Sequence, residues 1–426
     1  MIMNEDFLQY LWKFRLLHGE LNTVGGDRLV VLHPGEHNSN SGPDFCNARI
    51  RIAETLWAGN VEIHVNASDW FRHGHQQDRA YDNVILHVVY HHDADIPDTS
   101  NEYLPVLEIK GQFDESLFSR YEYLMMNQLW IPCVIQLDPS CREVFRIWSP
   151  ALAVERLVQK SSEIRRLWDS TGQDWEESFY QHIAVGFGFK INGFPFEMLA
   201  KSLPLRLVRK HCNNLFQVES MFFGQAGMLD HTWQDDYPRK LEAEYAFFRA
   251  KHRLTSMSGG MWKFLRLRPS NFPTIRISQF ANFLQKTGCR FFWMTEQALC
   301  KESRVMFNVG TSGYWDNHFL FDKDSVLRPK VMGQRSSDLL IINVLVPFMF
   351  FYGTMKGDAR LREKALEMLE ELVAEENSET RRWNNAGLSS KNALESQALI
   401  QLKRGYCNHK QCLRCRIGDS MLQRKR

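Results

Sequence analysis

Gly59-Asn60-Val61-Glu62-Ile63-His64-Val65 alternates apolar and polar side chains, with Val61, Ile63 and Val65 on one side and Glu62 and His64 on the other. A period of two belongs to a strand, so Glu62 and His64 share one face of a sheet. Upstream, residues 45–52 and 28–32 form two further strand-like runs. Downstream, Val84-Ile85-Leu86-His87-Val88-Val89-Tyr90 is almost continuously apolar, as expected of a strand covered on both faces, and residues 104–110 supply one more. Phe7, Leu8, Leu11, Trp12 and Leu16 recur at helical spacing and predict a helix over residues 5–18. Ser68 can cap a second helix running to about residue 81, although Gly74 weakens it. The order α, β, β, β, α, β, β predicts a mixed sheet flanked by helices and places the chain in the α+β class.

Beyond residue 115 the pattern turns helical, with amphipathic stretches at 150–168, 174–186, 238–252, 358–375 and 391–404. The predicted organisation is a sheet domain over 1–114, a mainly helical region over 115–404 and a Cys-rich tail over 405–426. The 426 residues are 44% hydrophobic, enough for two or three cores. Lys plus Arg number 52 against 50 for Asp plus Glu, so any attraction to nucleic acid or to an acidic membrane must come from a local patch. The N-terminus has no basic stretch followed by an apolar one, and the apolar run 339–352 is interrupted by Asn343 and Pro347. The expectation is therefore no signal peptide, no membrane span and no membrane partner. Nine cysteines, six of them scattered singly, suit a reducing, cytoplasmic location.

Eight of the fifteen histidines fall between residues 33 and 92: His33, His37, His64, His73, His75, His87, His91 and His92. Asp44, Glu62, Asp78 and Asp82 lie in the same stretch. An Asp at a strand entrance beside a Glu in a neighbouring strand can converge on Mg²⁺, which takes one or two carboxylates and keeps several waters. Pro43-Asp44, an eighteen-residue step and then Glu62-Ile63-His64 on the third strand of an α-β-β-β-α-β unit resemble the PD-(D/E)xK phosphodiesterase superfamily. His64 stands where that pattern usually has lysine. The resemblance implies Asp44 and Glu62 as metal ligands, His64 as the group that assists water, and DNA or RNA as substrate. The runs Gly42-Pro43-Asp44-Phe45, Gly59 to His64, Asp69-Trp70, His73-Gly74-His75, Tyr81 to Val89, Phe223-Gly224-Gln225-Ala226-Gly227 and Arg268-Pro269-Ser270-Asn271-Phe272-Pro273 are similar to an uncharacterised bacterial family, domain of unknown function 2851. That likeness implies one architecture along nearly the whole chain and no established activity.

Competing readings attach to the same residues. His64 on a strand can be a satisfied core histidine. His75 and Asp78 fall on one face of the expected helix and border the same cleft if that helix packs over the sheet. A zinc hydrolase could draw three ligands from His73, His75, Asp78 and His87, but residues two apart do not share a helix face. Glu108-Ile109-Lys110 is the runner-up for the role of Glu62. At the C-terminus, Cys407-x4-Cys412-x2-Cys415 has metal-binding spacing, with His409 or an upstream cysteine as fourth ligand of a Zn²⁺ centre or an iron–sulfur cluster. The cations and rings of residues 266–276 suit phosphate contacts, or simply a loop between helices. The expected function is metal-dependent phosphodiester hydrolysis on DNA or RNA. The alternatives are a non-catalytic nucleic-acid-binding scaffold with a degenerate core and a zinc hydrolase built on the histidines.

Overall fold

The computed structural model describes residues 3–38, 40–97, 103–291 and 300–424. The chain divides into two compact units, residues 1–145 together with 403–426, and residues 146–402.

The first unit is built on a mixed sheet. Helix α1 (Glu5–Lys13) starts where the Asn4 side chain accepts the Phe7 amide, and carries Glu5 and Asp6 in its first turn. It buries Phe7, Leu8, Leu11 and Trp12. It stops short of residue 18 because Arg15 turns into the left-handed region at φ 51°. Strands β1 (Leu21–Asn22), β2 (Arg28–His33), β3 (Glu36–His37), β4 (Phe45–Ile52), β5 (Thr55–Asn66), β6 (Val84–His91) and β7 (Val106–Glu108) form the sheet in the order β1-β2-β4-β5-β6-β7, with β3 pairing β4. The β2-β4-β5 part is antiparallel, whereas β6 and β7 join it in parallel. The β4–β5 ladder slips between Phe45 and Ala48, where Asn47 has φ 59°. Val84 to Val89 are all buried, as their apolar run requires. The parallel β5–β6 register sets Glu62 beside His87 and His64 beside Val89.

The helix expected over 68–81 is only the four-residue α2 (Asp69–Arg72). Gly74, at φ 78° and ψ 20°, ends it, and two short 3-10 turns (His75–Gln77 and Arg79–Tyr81) follow. Helix α3 (Glu115–Met126) then leads toward a turn at Val134–Gln136. The C-terminal helix Arg416–Leu422 packs in this same unit: the Tyr10 hydroxyl donates to Asp419 at 2.8 Å and the Arg120 Nε to the Leu422 carbonyl at 2.9 Å.

The second unit is helical, with one two-stranded ribbon of His318–Leu320 and Lys323–Asp324 among the described residues. Helix α4 (Pro139–Ser170) crosses the unit boundary, and α5 (Trp175–Phe187), α6 (Phe189–Ser202), α7 (Leu205–Arg209), α8 (Leu215–Gln225), α9 (Asp236–His252) and α10 (Pro273–Thr287) follow. One continuous core joins Phe179, Phe222, Phe280, Phe283, Leu345 and Leu369. Gln334–Lys356 is long and apolar enough to cross a membrane by length and composition; 78% of its most apolar window is buried inside the unit.

Gly227 shows how tightly this unit is closed. Its φ is +66°, and a Cβ there would lie 2.1 Å from the Met257 carbonyl oxygen, which is backbone and cannot swing away. Gly227→Ala is expected to lower unfolding stability by about 2–4 kcal/mol, through left-handed strain plus forced separation of two chain segments. Gly357 has a similar φ of +68° with open space around its Cα, so Gly357→Ala should cost only about 1 kcal/mol. Urea denaturation of the two variants checks the difference, and equal losses would show that the Met257 contact is not what matters.

Candidate metal centre

Four side chains converge above the C-terminal half of β5. The Nε2 atom of His64 lies 3.1 Å from His73 Nδ1, 3.3 Å from His75 Nε2 and 3.5 Å from Glu62 Oε1. Glu62 Oε1 is in turn 3.3 Å from His75 Nε2. Three partners around one imidazole nitrogen exceed what a single N–H or lone pair can satisfy. A tetrahedral metal with bonds of about 2.0–2.1 Å separates its ligands by about 3.3–3.4 Å, close to the mutual spacing of the Glu62, His64 and His75 donor atoms. The ligand nitrogens of His64, His73 and His75 all lie within 4.8 Å of one another, and Glu62 touches two of the three.

Each donor is placed by a local feature of the sequence. Glu62 and His64 share a strand face, as their spacing requires. His73 and His75 reach the same point because Gly74 breaks the helix between them, which removes the objection that residues two apart diverge on a helix. Trp70 packs on His75 and His87 with ring centroids 5.3 Å from each, and Tyr81 stacks on His75 at 3.9 Å. Behind the cluster, His64 Nδ1 is 2.8 Å from His87 Nε2, on a histidine that is fully buried. When His64 Nδ1 carries the proton and donates to His87, Nε2 is left for a metal, as in the outer support of a ligating imidazole.

Asp44 supports Glu62. Its backbone N–H donates to Glu62 Oε2 at 3.0 Å, while its carboxylate accepts the Ile63 N–H at 3.1 Å and the Gln9 amide at 2.8 Å. Burial raises the pKa of both carboxyl groups, and each also feels acidic neighbours. Burial, then the neighbouring imidazoles, lowers His64 to about 2 and His87 to about 3. Neutral imidazoles are the form that binds metal, and a cation would relieve the penalty on the Glu62 carboxylate. His64 is 1% exposed and Glu62 5%, whereas His73 is exposed, so the centre has a dry floor and a side open to solvent.

Of the residues expected here, Glu62, His64 and His75 meet, with Asp44 one bond behind them. Asp78 does not join: it is exposed and its carboxylate accepts the Ala80 N–H, because the expected helix face does not exist. Glu108 lies on β7 against His91. His37 contacts Gln9, and His92 pairs with Asp95. Three imidazoles and one carboxylate form a donor set for zinc, manganese or iron; Mg²⁺, the ion first expected, takes oxygen ligands and retains its waters. A cleft of about 300 Å³ elsewhere in the unit, walled by Trp12, Arg15, Leu29 and Val31, shares no residue with the cluster.

The cysteine-rich end carries a second candidate centre. Cys412 and Cys415 are buried on a tight turn, with the Cys415 N–H donating to the Cys412 carbonyl at 3.3 Å. Cys407 is half-buried and His409 exposed. The neighbour that spacing could not supply is Cys133, which is 8% exposed. Burial raises its thiol pKa, and Cys415 and Cys412 raise it further. Cys407 is raised likewise by burial and then by Cys415, Cys133 and Cys412. Cys133, Cys407, Cys412 and Cys415 oppose ionisation within their own group, with buried Cys141 acting on Cys133 and Cys415 as well, and thiols of this kind are ones a metal would ionise together.

The chain belongs to the family described as protein of unknown function (DUF2851), which matches residues 5–378. No curated protein and no solved structure matches it.

Proposed function

We propose that the sheet-containing unit is a metal-dependent hydrolase of phosphodiester bonds in DNA or RNA, its metal held by Glu62, His64, His73 and His75. The observation that carries this reading is the clustering of three imidazole nitrogens within 4.8 Å of one another, with a Glu62 carboxylate oxygen 3.3–3.5 Å from two of them. When bound, a zinc-class ion supplies Lewis acidity toward a phosphoryl oxygen and activates water near neutral pH. Glu62 and the three imidazoles fix its position, His87 orients His64, and Asp44 holds Glu62 by its backbone N–H. The phosphodiester assignment rests on the three antiparallel strands followed through a crossover by a parallel one, with Asp44 at the second strand's entrance and Glu62 in the third. That is the layout the PD-(D/E)xK resemblance implies. Histidine replaces the usual lysine because here the position supplies a ligand rather than a charge.

We also propose that Cys133, Cys407, Cys412 and Cys415 hold a metal centre, zinc or an iron–sulfur cluster. The support is the spacing Cys407-x4-Cys412-x2-Cys415 together with the effect of these thiols on the ionisation of Cys133 and Cys407.

Metal analysis of protein prepared without oxygen tests both centres. One zinc, manganese or iron per chain should disappear in His75→Ala while the tail metal stays. End-labelled single- and double-stranded DNA and RNA should be cleaved by the wild type with Mn²⁺ or Zn²⁺, and cleavage should stop with EDTA. Full metal in His75→Ala would remove the site, and no cleavage of any of the four substrates would remove the hydrolase.

A further inference from the structure

The helical unit buries a cation that no anion among the described residues offsets. Arg276, in the first turns of α10, is 5% exposed. Its Nη1 donates to Gln279 Oε1 at 2.9 Å, and its Nη2 to Asn271 Oδ1 at 2.6 Å and Ser336 Oγ at 3.4 Å. One face of the guanidinium lies over the Phe189 ring, with Cζ 4.5 Å from the centroid. The Nε atom is buried and has no hydrogen-bond partner among the described residues. All these partners are neutral, and burial alone holds the group down to about 10 with no opposing charge to restore it. A buried charge without a counter-charge is costly, and arginine seldom stands so without a ligand.

Arg276 forms part of the wall of a cavity of about 250 Å³. The remaining wall combines apolar side chains, among them Phe187, Phe196, Leu267 and Leu339, with the polar Asn192, Asn271 and Ser336 and a second cation, Lys190. Two helices begin at the cavity, α10 at Pro273 and the long helix starting at Gln334, so their positive ends lie beside the guanidinium. Phe189, which covers Arg276, has φ 49°, a left-handed conformation for a bulky residue at the first position of α6. Such strain persists only where the surroundings impose it.

We infer that this cavity binds a small organic oxyanion, its phosphate or carboxylate group neutralising Arg276 and its apolar body lying against the phenylalanine and leucine wall. A cavity-lining guanidinium is a ready partner for such a group, and the apolar wall favours an anion with a carbon body over an inorganic one. The site lies in the helical unit and does not depend on the hydrolase reading.

The test uses the full chain, with phenyl phosphate, benzoate and inorganic phosphate titrated against sodium chloride at matched ionic strength. At tenfold above Kd, phenyl phosphate or benzoate should raise the thermal midpoint by roughly 3–5 °C, and inorganic phosphate by less. Whichever of the two organic anions acts more strongly identifies the headgroup. Arg276→Met removes the charge at similar size and should abolish the shift. Leu267→Trp narrows the cavity without touching Arg276 and should weaken binding at least about tenfold by calorimetry, which keeps the test valid if Arg276→Met does not fold. The inference is overturned if none of the three anions shifts the midpoint beyond chloride, or if binding persists unchanged in either variant.

Discussion

Glu62→Gln is expected to lower nucleic-acid cleavage by about a thousandfold or more, which is about 4 kcal/mol of transition-state stabilisation, while leaving the fold and substrate binding nearly intact. Glu62 is the only anionic member of the four-donor set, and its Oε1 lies 3.3 Å from His75 and 3.5 Å from His64. Glutamine keeps the side-chain length and the carbonyl that can accept the Asp44 N–H, but it removes the charge that offsets a divalent cation. In the metal-free protein burial favours the neutral carboxylic acid, so a neutral amide resembles that state and stability should change by less than about 1 kcal/mol. Metal content, single-turnover cleavage and urea denaturation of the same preparation separate these effects. Wild-type cleavage in a Glu62→Gln protein that has lost its metal would place the chemistry elsewhere. His64→Lys discriminates further: it restores the lysine of the superfamily pattern, yet His64 is 1% exposed and faces three other imidazoles. If His64 is a ligand, the lysine variant loses both metal and activity. Gain of cleavage would instead support the Mg²⁺ arrangement in which this position assists water.

The sheet was legible because its strands carry their own signals. The apolar run 84–90 reflects burial on both faces, while the alternation in 60–65 separates an apolar core face from a polar face that is itself buried at Glu62 and His64; both strands stand where those patterns put them. The shared face of Glu62 and His64 followed from the same period. What could not be read was the path of the chain between β5 and β6. Ser68 and the spacing of His75 and Asp78 favoured a continuous helix, but a left-handed Gly74 ended it after one turn and carried His73 and His75 inward together. The rule that residues two apart diverge was sound for a helix that does not form. His87 had no local signal either, since only the parallel register sets it beside Glu62 and its side chain against His64. Arg276 was noticed for its charge, but its burial depends on Phe189, Asn271 and Ser336, which are scattered along the chain.

Cys133 is the clearest case of a residue that sequence spacing hides, and it yields the second large prediction. It lies near the 3-10 turn Val134–Gln136, far upstream of Cys407, Cys412 and Cys415. The unit brings it to them through α3 and the C-terminal helix, joined by the bond from Arg120 to Leu422 and by Lys410 to the Met125 carbonyl. Cys133→Ser should remove the metal of this centre and lower the unfolding free energy of the sheet unit by on the order of 3–5 kcal/mol, because a structural metal contributes its binding energy to folding. His409→Ala should retain the metal, since that imidazole is exposed while Cys133 is buried. Cys141 serves as a control thiol: it is fully buried nearby, with its sulfur 3.4 Å from Arg424 Nη2, and Cys141→Ser should keep the metal. Iron, sulfide and zinc analysis of the four proteins, prepared without oxygen, reads the outcome directly. Iron with sulfide in the wild type, lost in Cys133→Ser alone, fits a four-cysteine cluster; zinc in its place fits a zinc–thiolate centre. Metal retained in Cys133→Ser and lost in His409→Ala would return the fourth ligand to the histidine.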